Sequence, residues 1–166
     1  MAAQAVALKA WATEVDCLLD GGEFFREWHA SNAEEGAEHR VVYQDGIVFK
    51  VYGGLASTRR GYAEYIDRLT LPNQLLPDTC VWFEGFIAAE KARLLTVISQ
   101  PFIRADRGAT LPETVSAMKA RGFTHVGESY GFTDGQVVVD DLHGENVLVR
   151  GDGSMAIIDP IIRWQR

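Results

Sequence analysis

The chain has 166 residues, enough for one domain with a real hydrophobic core. Its 47% apolar and 23% charged residues are those of an ordinary globular protein. The formal net charge of -7 excludes a dedicated nucleic-acid binder, which carries a basic face, and a polybasic membrane anchor. No apolar run approaches the length of a membrane span, so neither nucleic acid nor membrane is expected as a partner.

In chain order, residues 3–19 predict an amphipathic helix, with Leu8, Trp11, Val15, Leu18 and Leu19 at helical spacing. Lys9, Glu14 and Asp16 interrupt its apolar character, so the segment reads as a helix packed on the body rather than a targeting signal. Residues 23–30 predict a second short helix, followed by a polar loop. HRVVYQ and GIVFKVY are β-rich runs joined by Asp45-Gly46, a dipeptide that favours a tight hairpin.

After Gly53-Gly54 a helix is expected over roughly 56–69, with Tyr62, Tyr65, Ile66 and Leu69 as its stripe and Pro72 and Pro77 framing a loop. Two more extended runs follow, TCVWFEGFIAA and RLLTVISQ, and Pro101 breaks the second. Leu111–Arg121 predicts a helix with Thr110 as N-cap and Gly122 at its end. The last portion alternates QVVV, NVLV and SMAIID around polar turns. Neighbouring antiparallel strands with separate helices indicate an α+β fold. The break at Pro101 suggests two lobes, with a cleft between them as the natural ligand site. Cys17 and Cys80 stand in no CxxC or Cys/His cluster and read as reduced, mostly buried thiols of a cytoplasmic protein.

The segment VVVDDLHGENVLVRGDGSMAIIDP carries the chemistry. It places Asp141, Asn146 and Asp159 on loops bounded by strands. NVLV leaves the loop, the turn at Gly151–Gly153 reverses the chain, and MAII brings Asp159 back to the edge where Asn146 began. A side-chain amide oxygen and a carboxylate are hard donors of the kind magnesium takes alongside phosphate oxygens. Lys50 ends GIVFK at an alternating position in an apolar strand. Such a lysine, if inward, is costly unless it meets an anion. His143 lies inside the loop and helps shape it without being assigned as a base. His29, His39 and His125 have no partners at metal spacing.

Asp141-Leu142-His143-Gly144-Glu145-Asn146 resembles the catalytic loop D-x-x-x-x-N of the protein-kinase-like superfamily, in the D-L-H-x-x-N form of its aminoglycoside-phosphotransferase-like branch. The match is nearest to the small kinase-like domains within phage and mobile-element polyvalent polypeptides and in bacterial effectors. NQLLPDT, SQPFI and the ending IDP are similar to those domains. The resemblance implies a protein-kinase-like fold with an antiparallel-sheet N-lobe, N-terminal helices and a much reduced C-lobe. Its segments would be residues 1–34 (helical extension), 35–100 (N-lobe) and 101–166 (hinge and truncated C-lobe). It also implies roles: Asp141 as the base that orients the acceptor hydroxyl, Asn146 and Asp159 on metal, Lys50 on the nucleotide phosphates. Gly36 would cradle phosphate through its backbone, Glu64 would pair with the lysine, and the backbones of Gln100 and Phe102 would read the adenine edge.

The sequence departs from protein kinases at three places. Val139 and Asp140 replace the His and Arg of HRD, Pro160 follows Asp159 in place of the DFG turn, and seven residues follow Asp159. The resemblance therefore implies a minimal ATP- and Mg2+-dependent phosphotransferase acting on a hydroxyl of a protein or small molecule. A second domain or partner chain could complete the substrate wall. The protein would be cytoplasmic, or delivered into a host cell if an effector. A nucleotide-binding pseudokinase or interaction module and an AMP-transferring enzyme remain open beside it.

Overall fold

The computed structural model describes residues 2–22, 24, 34–35, 39–52, 62–77, 80–89, 93–127 and 130–165. Among these, three helices and antiparallel-rich sheets form a mixed α and β architecture that divides into two compact units. One unit comprises Met1–Tyr65 with Val81–Phe102, and the other Ile66–Cys80 with Ile103–Arg166.

The first unit opens with α1 (Ala2–Glu14). The expected helix to residue 19 stops early because Asp16 turns the backbone into the left-handed region at φ 55°. Leu18–Leu19 instead form strand β1, which adds in parallel to β5 (Trp82–Ala89). The helix buries Ala12 and part of Leu8, while Trp11 and Val15 of the anticipated stripe are exposed. The second expected helix, residues 23–30, lies outside the described residues apart from Phe24.

Four further strands complete the six-stranded sheet: β2 (Glu34–Glu35), β3 (His39–Gln44), β4 (Ile47–Tyr52) and β6 (Arg93–Pro101). The order is β1-β5-β6-β4-β3-β2. Asp45 (φ 49°) and Gly46 (φ 84°) both turn left-handed between β3 and β4, the geometry a two-residue hairpin requires. One face of this sheet closes on Val42, Val51, Ile87 and Val97, with Leu19 and Phe24 packed against them.

The second unit holds most of α2 (Tyr62–Leu75). This helix runs through Pro72, where a loop was expected from the missing N–H. Leu71, Pro72 and Leu76 are buried there, and their packing offsets the lost hydrogen bond. Next come β7 (Arg107–Gly108) and α3 (Leu111–Ala120). Six short strands follow: β8 (Thr124–Val126), β9 (Gly131–Thr133), β10 (Val137–Asp140), β11 (Val147–Val149), β12 (Met155–Ile157) and β13 (Ile161–Trp164). They form a four-stranded sheet, β13-β10-β9-β8, and a three-stranded sheet, β12-β11-β7. Period-two alternation in β10 and β11 turns Val137, Val139, Val147 and Val149 into a core shared with Met118, Phe132, Ile157 and Ile162.

Candidate functional site

The site in the second unit is built by two chain crossings between its sheets. The chain leaves the four-stranded sheet at the end of β10, runs through residues 141–146, and enters the three-stranded sheet as β11. It returns from β12 through residues 158–160 to β13. The registers align the two crossings. Asp140 sits opposite Ile161, so Asp141 falls opposite Pro160 when that ladder is continued by one step. Val147 sits opposite Ile157, and the Ile158 amide donates to the Asn146 carbonyl at 2.8 Å. Asp141, Asn146 and Asp159 are thus gathered at one edge although they come from separate crossings.

Leu142 anchors the first crossing, with its side chain wholly inside the core. Gly144 lets the loop lie against β7. A Cβ on Gly108 would overlap the Gly144 carbonyl oxygen, and one on Gly144 would stand 2.9 Å from that of Ala109. Gly108 carries no sequence signal of this role, because nothing near it in the chain marks its neighbour.

Asp141 (φ 67°) and Asp159 (φ 50°) both adopt left-handed backbone conformations. For non-glycine residues this costs of order 1 kcal/mol, and such residues gather at functional sites. The Asn146 amide group donates to the Asp141 carbonyl (2.9 Å) and to Asp141 Oδ2 (3.0 Å). Both Asn146 N–H groups are therefore directed at Asp141, and its Oδ1 is left as an acceptor. The preceding Asp140 is engaged elsewhere, its carboxylate pairing with the Arg163 guanidinium across β10 and β13. Of two consecutive aspartates, one ties the sheet and the other serves the loop.

Among the described residues, no group of three His, Cys, Asp or Glu side chains forms a metal cage. A magnesium site that relies on phosphate oxygens needs no such cage. The Asn146 Oδ1 and the exposed Asp159 carboxylate are hard oxygen donors that fit this ion.

In the first unit Lys50 lies on β4 with 4% of its surface exposed. Ladder alternation puts it on one sheet face with Thr96 and Gln100, both also buried. The Gln100 Oε1 is buried without a hydrogen-bond partner among the described residues. Gln100 of β6 pairs with Val48 of β4, and the Phe102 N–H donates to the Gly46 carbonyl at 2.8 Å. Phe102 thus has its carbonyl, not its N–H, to offer a ligand. Glu64 stands in the first turn of α2, and its side chain is outside the described residues, as is Gly36 altogether. Cys17 and Cys80 are free thiols, each half-buried rather than enclosed.

An antiparallel-rich α and β fold of this size, with three helices among its described residues, is compatible with a small kinase-like domain. The chain matches, over residues 1–166, the family described as the serine/threonine/tyrosine kinase found in polyvalent proteins, and it belongs to that family. No curated protein matches it. The family is one of kinase-like phosphotransferases, which in general use ATP and a divalent metal. No described helix is long and apolar enough to cross a membrane.

Proposed function

We propose that the chain is an ATP- and magnesium-dependent phosphotransferase that moves the γ-phosphoryl group to a hydroxyl of a protein or small-molecule acceptor. The observation that supports this best is the alignment of the two crossings, which gathers Asp141, Asn146 and Asp159 at one edge. In this reading Asp141 orients the acceptor hydroxyl and takes its proton. The acceptor oxygen then bonds to the γ-phosphorus as the bond to the bridging oxygen of ADP breaks. Asn146 Oδ1 and Asp159 would hold magnesium, which when bound would neutralise charge on the phosphoryl oxygens. Lys50 supplies a buried cation for the nucleotide phosphates.

Incubation with γ-labelled and α-labelled ATP plus magnesium tests this, on the native chain and on Asp159→Ala, with the chain itself and hydroxyl-bearing peptides as acceptors. Label from the γ position alone is expected in the native chain, falling at least about 100-fold in Asp159→Ala. Label from the α position would identify AMP transfer. Thermal stabilisation by ATP without label would identify a nucleotide-binding pseudokinase. Absence of both overturns the nucleotide reading altogether.

A further inference from the structure

The proposed function leaves His143 without a role, although it lies between two carboxylates of the loop. We infer that His143 is a positioning residue: locked in its Nε2–H tautomer by the Glu145 backbone amide, it holds Asp141 by Oδ1. This rests on Asp141 being the group that meets the acceptor hydroxyl.

Donor and acceptor counting carries the inference. The Glu145 N–H donates to His143 Nδ1 at 3.2 Å. That uses the Nδ1 lone pair, so the neutral ring bears its hydrogen on Nε2. Nε2 lies 3.4 Å from Asp141 Oδ1 and 3.4 Å from Asn146 Nδ2. Both Asn146 amide hydrogens are already directed at the Asp141 carbonyl and Oδ2. The Nε2–H therefore faces Asp141 Oδ1 as its remaining acceptor, an electrostatic contact longer than an ordinary N–H···O hydrogen bond. Glu145 Oε2 is 4.0 Å from Nδ1 and its side chain is 93% exposed, so it does not compete. The Tyr130 ring meets the imidazole edge-on, with centroids 6.3 Å apart.

The two carboxylate oxygens of Asp141 are thus steered by different donors, Oδ2 by Asn146 and Oδ1 by His143. Each oxygen keeps a further acceptor site for an incoming hydroxyl. Without His143, Asp141 is held at Oδ2 and through its backbone only, and its carboxylate can swing.

The test compares the native chain with His143→Ala, His143→Gln and His143→Asn. The glutamine amide nitrogen can occupy the place of imidazole Nε2, and that of asparagine the place of Nδ1. His143→Ala is expected to lower kcat by about 10- to 100-fold with the KM for ATP unchanged. His143→Gln is expected to restore most of the rate, and His143→Asn is not. Long-range proton–nitrogen correlation should show the Nε2–H tautomer in the native chain. Three-bond couplings should show one Asp141 χ1 rotamer there and averaging in His143→Ala. An Nδ1–H tautomer, unchanged couplings, or His143→Gln as slow as His143→Ala at native thermal stability overturns the inference. If the native chain transfers no phosphoryl group, the proposed function fails, and the tautomer and couplings still decide the positioning.

Discussion

Gly108 and Gly144 set how closely the Asp141 loop can approach β7. A Cβ at Gly108 would have to displace the Gly144 carbonyl, which is backbone and cannot swing aside like a side chain. Gly108→Ala is expected to destabilise the protein by about 1–3 kcal/mol, as overpacking does. It should also slow phosphoryl transfer by about 100-fold through displacement of Asp141. Urea midpoints and transfer rates check both, and a variant native in both respects would show that the close approach is not required. The return of the chain that brings Asp159 back beside the start of β11 was legible in the sequence, because two short strands and a glycine turn define it. Strand alternation alone favoured an outward, solvated Lys50, and only the resemblance carried by Asp141 to Asp159 pointed to the buried position it occupies. Gly108 was not, since its neighbour Gly144 lies thirty-six positions away. The buried Oε1 of Gln100 was not legible either, because a strand pattern gives a face but not the hydrogen bonds available on it.

At the scale of elements, α3 is the clearest agreement between sequence and structure, and an ionic clasp secures its start. Glu113 accepts from the Thr110 N–H and hydroxyl, each at 2.8 Å, and receives Arg107 through both guanidinium nitrogens at 2.8 and 2.6 Å. The Arg107 hydrogen bond first, then the two Thr110 donors, hold the Glu113 carboxyl well below the ordinary glutamate pKa of 4.5. A carboxyl whose folded pKa is lowered contributes stability in full above the unfolded value and loses it as pH falls towards the folded one. The stability advantage of the native chain over Glu113→Gln should therefore be largest near neutral pH and shrink below about pH 4.5. Denaturation titrations at pH 7 and pH 3 measure it, and an equal difference at both would count against the clasp. The clasp also fixes β7 against α3, and so the strand on which Gly144 rests. The ends of α1 and α2 were harder to read. Leu18 and Leu19 fit a helical stripe as well as a strand, and their pairing with Phe86 and Ile87 decides for the strand. Pro72 signals a break locally, but burial of Leu71 and Leu76 carries the helix past it.

At the scale of the whole molecule, each unit has a buried cluster of its own among the described residues. Ile87 closes the core of the six-stranded sheet, and Ile157 closes the core beneath the crossings. Ile87→Val and Ile157→Val should each cost about 1 kcal/mol. Because the two clusters share no residue, the double variant should cost the sum to within about 0.5 kcal/mol. A larger deviation in urea unfolding would mean that the cores are energetically coupled. Membership of the kinase family rests on the whole chain, whereas the alignment of the crossings belongs to the second unit alone. That alignment has a mechanical consequence. The two crossings are a double strap between the small sheets, and all three candidate groups are fastened to the strap rather than to either sheet. Separating the sheets would strain both crossings together, so the placement of all three candidate groups depends on the two sheets staying packed on their shared core.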